Sequence, residues 1–319
     1  SKICKLGDQY GVGETVTEDF CTSQGAEWTN QNAKWSTSTN IYWRIIRTNE
    51  DGSVRLLYAG TNHDTTSGYI GLSKFNENHD DPMYAGYMYG TSGSLENNRA
   101  NTNDSTIKTF IDKWYEDTLL TNYDKYISKT AIYCNDRSVP NDDYSTSNGF
   151  YYGALTRLNK YNNHLPVPTY KCGGNGTDGL FESAQAIADK FSASTTGGGN
   201  GQLKYPIAMM TIDELSFAGG LIATPLNSPY AWYCTNSQDK SITGSDWWWS
   251  LSPYAWSHSN ALTWYAGNSD GDGALNGGTV QDGGGGVRPS VSLASCVGIK
   301  SGNGTPESPY EIDYEGSCK

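Results

Sequence analysis

The stretch IYWRIIRTNEDGSVRLLY, at residues 41–58, determines the first element of the fold. Apolar and β-branched side chains alternate with polar ones on both sides of Asn49-Glu50-Asp51-Gly52. An Asp-Gly pair between two such runs is a strong signal for a β-hairpin, because Gly adopts the positive φ that tight turns need. Two antiparallel strands are therefore predicted at residues 41–47 and 54–58.

Apolar spacing and capping residues predict the helices. After an N-cap at Asp104-Ser105, apolar residues recur at helical spacing from Ile107 to Leu119. Thr211 and Glu214 have the spacing of a capping box, which predicts a short helix ending at Gly219-Gly220. The remaining predicted elements are short helices at 120–127 and 181–191, strands at 205–210 and 290–293, and a last hairpin or edge strand within 302–312.

Long polar stretches separate these elements. Residues 61–103 and 134–178 are rich in Asn, Gly, Ser and Asp, and they predict irregular loops. The pattern predicts an α+β fold with short strands, a few helices and long loops, in one domain over residues 41–319. Residues 1–40 are expected to be a polar segment that follows a removed anchor, since the chain opens without a signal peptide.

The composition favours a binding surface over a metabolic enzyme. The 319 residues include 23 Tyr, 10 Trp and 37 Gly, and only 36% are hydrophobic. Tyr and Trp supply rigid contact area with a polar tip, as they do in selected binding surfaces. The formal net charge is −12 and there is no basic stripe. We therefore expect no nucleic-acid partner and no direct contact with a membrane.

The seven cysteines include no C-x-x-C pair, which favours disulfides over a zinc site. Disulfides form outside the cytosol, so the chain is expected at the cell surface or secreted. Seven reduced cysteines in a cytosolic protein remain the alternative. Sequence proximity predicts up to three bridges and one remaining cysteine, namely Cys4–Cys21, Cys134–Cys172, Cys296–Cys318 and Cys234.

An ordered set of short stretches resembles one family. The stretches are YWRII (42–46), DGSVRLLY (51–58), STIK (105–108), WY (114–115), YCNDRS (133–138), YP (205–206), TIDE (211–214), AGG (218–220), WSLSP (249–253) and GVRP (286–289). Together they resemble gut Firmicutes surface proteins with a C-type-lectin-like fold of the formylglycine-generating-enzyme-like subclass. That family includes the variable proteins of diversity-generating retroelements, and the resemblance covers most of the chain after residue 40.

The resemblance implies a rigid lectin-type scaffold whose C-terminal segment is rewritten at template adenines, here at about residues 247–286. Between Gly244 and Leu293 there is no Lys, Glu, Met, Ile, Phe or Cys. Mutation of a codon such as AAC at its first two positions gives Asn, Asp, Ser, Tyr, His, Ala, Gly, Thr and Val, but not Gln or Trp. Gln281 lies outside this set, and Trp249, Trp256 and Trp264 are expected to be fixed scaffold. An ordinary Gly/Ser-rich loop is the alternative.

This segment is predicted to contact the ligand. Its run of three tryptophans, from Trp247 to Trp249, could stack on a sugar ring or could equally form core and rim of the fold. The candidate ligand-binding residues are Trp247, Tyr254, Ala255, Ser257, His258, Ser259, Asn260, Ala261, Thr263, Tyr265, Ala266, Asn268, Ser269, Asp270, Asp272, Val280, Asp282, Gly283, Gly284 and Gly285.

Catalytic and metal-binding motifs are weak. Residues 268–273 resemble the start of an EF-hand loop, but Thr279 stands where a bidentate Glu is needed. Calcium binding through Asp270 or Asp272 stays open, and no cofactor is expected. No Gly-x-Ser-x-Gly elbow is present. The close pair of reactive cysteines that formylglycine-generating enzymes use is also absent, so we expect a non-catalytic protein.

Two acidic residues and one arginine are given structural roles. Asp213 and Glu214 are adjacent and point to different helix faces, so Glu214 is expected to cap its helix rather than to form a catalytic pair. Arg288 is expected to be buried and paired with an acid beneath the ligand surface.

Two functions remain as alternatives. The first is a retroelement-diversified binding protein that recognises a protein or glycan on another cell or a phage. The second is a glycan-binding lectin or adhesin with a fixed site on the same fold.

Overall fold

The fold is built on two β-sheets, of seven and six strands, whose strands come from distant parts of the chain. The structure is a computed structural model. It describes residues 2–6, 9–12, 27–30, 34–36, 41–61, 68–139, 144–159, 166–170, 188–196, 199–224, 247–267, 273–305 and 307–319, with backbone alone up to residue 36 and at residue 188.

The strands are short and are spread over the whole chain. They are β1 (Lys2–Leu6), β2 (Gln9–Val12), β3 (Glu27–Asn30), β4 (Lys34–Ser36), β5 (Tyr42–Thr48), β6 (Val54–Gly60), β7 (Gly71–Leu72), β8 (Met88–Tyr89), β9 (Asn103–Asp104), β10 (Tyr133–Asp136), β11 (Phe150–Tyr151), β12 (Ala188–Ser192), β13 (Gly201–Gln202), β14 (Ile207–Met209), β15 (Trp247–Trp256), β16 (Ala261–Gly267), β17 (Leu275–Thr279), β18 (Gly286–Val287), β19 (Pro289–Leu293), β20 (Ile299–Ser301) and β21 (Tyr310–Ile312).

The helices within the described residues are fewer. They are α1 (Leu95–Asn98), α2 (Thr106–Thr118), α3 (Gly153–Leu158) and α4 (Ile212–Phe217), with 3₁₀ turns at Pro82–Ala85 and Asp124–Tyr126. The described chain is therefore a mixed α and β protein made mostly of sheet, as the α+β prediction requires. None of the helices in the described ranges is long and apolar enough to cross a membrane.

The seven-stranded sheet has the order β14-β19-β6-β5-β4-β21-β20 and contains the predicted hairpin. β5 and β6 pair antiparallel, and the Asn49 N–H donates to the carbonyl of Ser53 across the turn. Gly52 has φ +77°, which confirms its predicted turn role. The predicted strands near 205–210 and 290–293 are β14 and β19, and the predicted last hairpin is β20 with β21 at the sheet edge.

The six-stranded sheet has the order β17-β16-β15-β18-β7, and β11 also pairs with β15. Smaller sheets join β1 with β2 and β3, β10 with β12 and β13, and β8 with β9. β15, which begins the predicted variable segment, is thus the central strand of this sheet.

Both faces of β6 are buried. Leu56 packs into one hydrophobic cluster with Trp249 and α2, whereas Leu57 packs into a second cluster with Trp248 and α4. Successive residues of a strand point to opposite faces. The run Leu56-Leu57-Tyr58-Ala59 is therefore continuously apolar because each face meets a core.

The helix predictions are confirmed where local signals are strong. Ser105 caps α2, its side chain accepting from the Lys108 N–H, and Ile107, Ile111 and Tyr115 are buried along one face. Thr211 and Glu214 form a complete capping box at the start of α4. The helix predicted at 120–127 is only the 3₁₀ turn Asp124–Tyr126.

One predicted helix is wrong over the residues that are described. Residues 188–192 form β12, which pairs antiparallel with β10, while residues 181–187 lie outside the described ranges. The predicted loops at 61–103 and 134–178 contain several short strands and helices as well. Three of the strands, β7, β10 and β11, pair with strands far away in sequence, so local sequence patterns give little sign of them.

The chain ends are joined to this architecture. β4 lies in the segment predicted as a separate N-terminal part, yet it pairs with β5 and with β21. The predicted boundary at residue 40 therefore falls between two paired strands. The predicted Cys296–Cys318 disulfide is confirmed, with Sγ atoms 2.04 Å apart. Cys134 is also disulfide-bonded, but Cys21, Cys172 and Cys234 lie outside the described residues.

Candidate functional site

The predicted ligand residues fall into accessible and buried groups. His258, Ser259, Asp282, Gly283 and Gly284 are exposed, and Trp247, Tyr254, Ser257, Asn260 and Tyr265 are half-buried. Ala255, Ala261, Thr263, Ala266, Val280 and Gly285 are buried. Except for Ala255, which lines the groove, we leave the buried residues out of the site because they do not reach the outer surface. Asn268, Ser269, Asp270 and Asp272 lie outside the described residues.

Several accessible residues line one large groove, which we call the tyrosine groove. It has a volume of about 840 Å³ and is lined by residues of two stretches, 144–151 and 254–258, together with Val139, Thr156 and Leu262. Small-ligand sites commonly have volumes of roughly 300–1,000 Å³. The stretch 254–258 forms one wall and belongs to the predicted variable segment. The stretch 144–151 forms the other wall and lies outside that segment.

Backbone pairing holds the two walls together. Phe150 and Tyr151 of β11 lie opposite Trp256 and Ala255 of β15, and the Tyr152 N–H donates to the carbonyl of Tyr254 at 3.0 Å. The buried indole of Trp256 donates to the carbonyl of Thr146 at 2.8 Å. The groove is therefore a rigid feature of the fold.

Gly149 allows the close approach of these walls. Its φ is +74°, and a Cβ at this position would lie 2.7 Å from the carbonyl oxygen of Trp256. A real Cβ does not approach an oxygen that closely, and positive φ also favours Gly. Both observations make Gly149 a requirement of the groove.

A row of aromatic rings crosses the groove. Tyr254 lies edge-on to Trp264, with ring centroids 4.6 Å apart, and edge-on to Tyr151 at 6.0 Å. A Cβ at Gly277 would lie 2.3 Å from the ring of Tyr254, so this Gly provides the space in which that ring lies. Tyr151 is 58% exposed, and its ring is the most open aromatic surface of the groove.

Tyr144 lines the inner end of the groove. Burial, with the charge of Asp81 as a second cause, raises its pKa to about 12. The hydroxyl is therefore neutral at physiological pH, and it donates to the side-chain oxygen of Asn98 at 2.8 Å. Tyr144 is thus a fixed, uncharged part of the lining.

The β15–β16 turn contributes Ser257 and His258 to the groove lining. The Ser257 N–H donates to the Asn260 carbonyl at 3.0 Å, and the Asn260 N–H donates back to the Ser257 hydroxyl at 3.1 Å. His258 lies at the tip with φ +63°, a left-handed conformation that is uncommon for residues other than Gly and in which Asn, Asp and His are enriched. Such conformations persist where the surrounding structure holds them, and they are common at binding sites.

A second accessible region, the tryptophan patch, consists of Trp247, Tyr265, Asp282, Gly283 and Gly284. The rings of Trp247 and Tyr265 are 4.8 Å apart, and a Cβ at Gly284 would lie 3.8 Å from Trp247. Because Trp264 and Tyr265 are successive residues of β16, this patch and Tyr254 lie on opposite faces of the strand. The predicted ligand residues thus do not form one continuous surface.

The tryptophan run is mostly core. Trp248 and Trp249 are fully buried, and the Trp249 indole donates to the carbonyl of Ser73 at 2.9 Å. Trp256 and Trp264 are buried as well. Only Trp247 of the run reaches the surface, so the core-and-rim interpretation of these residues fits the structure.

Arg288 is buried beneath this region, as predicted. Its Nε donates to the Tyr58 carbonyl at 2.9 Å, and its guanidinium lies 5.0 Å from the Trp248 ring centroid. A Cβ at Gly68 would lie 2.5 Å from Arg288 Nε, so the pocket around this side chain is fully occupied. Its pairing with an acid stays a prediction.

The adjacent acids at the start of α4 have separate ionic partners. Glu214 accepts from Arg47 at 2.8 Å and from the Thr211 N–H at 3.0 Å, which confirms its capping role. Asp213 accepts two hydrogen bonds from Arg157, at 3.0 and 2.7 Å. The two carboxylates line the same small cavity, of about 20 Å³, but each is held there by a different arginine. Among the described residues, no cluster of His, Cys, Asp and Glu could hold a metal ion.

Sequence reasoning missed the second wall of the groove. Tyr151, Asn148 and Thr156 belong to a stretch that was predicted to be an irregular loop. Its run YSTSNGFYY at 144–152 is rich in Tyr, Ser and Asn, the composition that marks binding surfaces. That signal was present, but the pairing that brings it to β15 lies about a hundred residues away in sequence.

Comparison of the chain with models of known protein families, with curated protein sequences and with solved structures finds no match.

Proposed function

We propose that this chain is a non-catalytic ligand-binding protein of the cell surface, with a C-type-lectin-like scaffold diversified by a retroelement. The residues that carry the family resemblance support the scaffold and the diversification. The Cys296–Cys318 disulfide supports an oxidising location. The ligand binds at the accessible part of the C-terminal segment.

The observation that carries this proposal is the tyrosine groove. Tyr254, Ser257 and His258, three positions compatible with adenine mutagenesis, line an open groove of about 840 Å³. Buried tryptophans at 249, 256 and 264, whose codons contain no adenine, lie under or beside them in the core. This arrangement supports diversification at Tyr254, Ser257 and His258, because these side chains reach the groove while the tryptophans form the core.

Population sequencing of this gene tests the proposal. Substitutions should concentrate at the accessible codons, with Ser257, His258, Ser259 and Asn260 as the strongest group. The buried positions Ala261, Thr263, Ala266 and Val280 form a matched control, because their codons belong to the same compatible set but their side chains are in the core. An adjacent template repeat and a reverse transcriptase gene are also expected.

An invariant segment, or substitutions spread equally over accessible and buried codons, would contradict diversification. The exposed ring of Tyr151, which lies outside the segment, would then favour the second candidate, a glycan-binding lectin or adhesin with a fixed site.

A further inference from the structure

We propose that the tyrosine groove binds an uncharged carbohydrate without a metal ion, and that Tyr151 is the platform on which a sugar ring stacks. This inference rests on the proposal that the chain is a ligand-binding protein, and it names the ligand class. It also assigns half of the site to residues outside the predicted variable segment.

Tyr151 has the geometry of a stacking platform. Its side chain is 58% exposed, whereas its backbone is held by pairing with Ala255 in the sheet. The neighbouring Tyr254 ring is nearly perpendicular to it, at an interplanar angle of 79°. The edge of Tyr151 is thus supported by Tyr254, and little side-chain freedom is lost when a ligand covers the exposed ring.

The polar groups around this ring are suited to hydroxyl groups. Asn148, Thr156 and His258 are exposed at the groove, and they offer an amide, a hydroxyl and an imidazole. These groups both donate and accept hydrogen bonds, as sugar hydroxyls do. A pyranose ring also has an apolar face of C–H bonds that packs on an aromatic ring, so it complements both kinds of group in this groove.

None of the described residues that line the groove is an Asp, Glu, Lys or Arg. Arg157, next to the lining residue Thr156, is buried and paired with Asp136 and Asp213. Although burial alone lowers the pKa of Arg157, the two carboxylates outweigh this effect and raise it. The charge of Arg157 is therefore compensated by these two ion pairs. The described lining residues on the Thr156 side of the groove are uncharged.

Glycan binding by the full chain, measured in EDTA, tests the inference. The probes are neutral oligosaccharides of glucose, galactose, mannose and xylose, with uronic-acid and sialylated oligosaccharides for comparison. We expect binding of at least one neutral class in EDTA. Tyr151→Ala should weaken it by about tenfold or more, whereas Tyr151→Phe, which keeps the ring, should stay within about threefold.

Tyr310→Ala is the matched control, because Tyr310 is a half-buried tyrosine of β21 in the other sheet. It should leave glycan affinity unchanged. The inference is overturned if no neutral oligosaccharide binds, if binding needs calcium, if acidic glycans are preferred, or if Tyr151→Ala binds as well as the unchanged protein.

The two proposals can fail separately. Glycan binding at Tyr151 together with an invariant C-terminal segment would retain this inference and reject diversification. A diversified segment that binds a protein, with no glycan bound, would retain the proposed function and reject this inference.

Discussion

At the scale of single residues, a buried ion pair joins parts of the chain that lie far apart in sequence. Arg137 and Asp189 are both fully buried, with Nε and Oδ2 2.5 Å apart. Arg137 also donates to the Asn98 carbonyl at 2.9 Å, and Asp189 accepts from Arg99 at 3.0 Å. The pair joins β12 to the segment around α1, so its charges are compensated only while these parts stay together.

Asp189→Asn should lower the free energy of unfolding by about 3–5 kcal/mol, because it leaves the buried Arg137 without its counter-charge. Denaturant unfolding measures the change. The control is Asp117→Asn, since the Lys113–Asp117 pair is exposed, at 67% and 57%. That change should cost no more than about 1 kcal/mol. Equal losses of unfolding free energy in the two variants would show that the buried ion pair stabilises the protein no more than an exposed one.

Glu214 predicts a dependence of stability on pH. Burial acts to raise its pKa, but the charges of Arg47 and Arg55 and the Thr211 N–H outweigh burial and lower it below the ordinary value of 4.5. A group whose pKa is lowered by folding contributes stability above its unfolded pKa and loses it as pH falls through the folded pKa. The melting temperature should therefore drop below about pH 4.5.

Glu214→Gln should be less stable at neutral pH and should show a shallower fall in melting temperature over the same acid range. Glu311→Gln provides the comparison. The pKa of Glu311 is also lowered, by the Ser301 hydroxyl and Lys300, but its carboxylate is exposed. If the melting temperature of Glu214→Gln falls with pH as steeply as that of the unchanged protein, Glu214 is not the cause of the acid destabilisation.

Sequence reasoning is accurate at this scale when a residue's role is local. The cap formed by Glu214 follows from its spacing to Thr211, and burial of Arg288 was expected from the GVRP stretch at 286–289 that belongs to the family resemblance. The partners of Arg137 could not be predicted, because Asp189 lies in β12, in a stretch that was assigned to a helix. The exposure of Tyr151 could not be predicted from the sequence either, because it depends on which strand lies next to β11.

At the scale of elements, the pairing of β11 with β15 creates the tyrosine groove, and Gly149 permits it. Gly149→Ala should destabilise the protein by about 1–3 kcal/mol, through both positive φ and contact with the Trp256 carbonyl. It should also weaken any ligand that binds in the groove. Thermal unfolding and ligand titration measure the two effects.

Gly52→Ala separates the conformational cost from the clash. Gly52 has nearly the same φ, +77°, but a Cβ there would meet only the Ser295 Cβ, at 3.5 Å. We expect a smaller loss of stability than in Gly149→Ala and no change in ligand affinity. If both substitutions lower the free energy of unfolding equally, then Gly149 is required for its positive φ and not for the close approach of the groove walls.

Element prediction succeeded where hydrogen bonds are local and failed where they are not. The β5–β6 hairpin and α2 are formed by residues close in sequence. Their turn and cap residues therefore predict them from local sequence alone. The pairing of β10 with β12 joins residues more than fifty positions apart, and that of β11 with β15 joins residues more than a hundred apart. Such short strands show no hydrophobic periodicity of their own. The same reason explains why one wall of the groove, and not the other, was predicted.

At the scale of the whole molecule, a three-residue strand links the beginning, middle and end of the chain. β4 pairs antiparallel with β5 and parallel with β21, where Tyr310 lies opposite Trp35 and Glu311 opposite Ser36. Without β4, the terminal hairpin β20–β21 would lose its only strand contact with the rest of the described sheet. The Cys296–Cys318 disulfide and the hydrogen bond from the Tyr126 hydroxyl to the Tyr314 carbonyl would still hold it near the protein.

This arrangement predicts different results for two truncated chains. A chain that begins at Ile41 lacks β4, whereas one that begins at Gln31 lacks β1–β3 but retains β4. Backbone amides between Ile299 and Ile312 should exchange with solvent about tenfold faster or more in the shorter chain, because the hairpin opens locally while the disulfide tethers it. The longer chain should keep the protection of the full protein. Since both chains lack the three-stranded sheet, a difference between them belongs to residues 31–40, which contain β4. Equal exchange would mean that residues 41–319 fold as a complete unit.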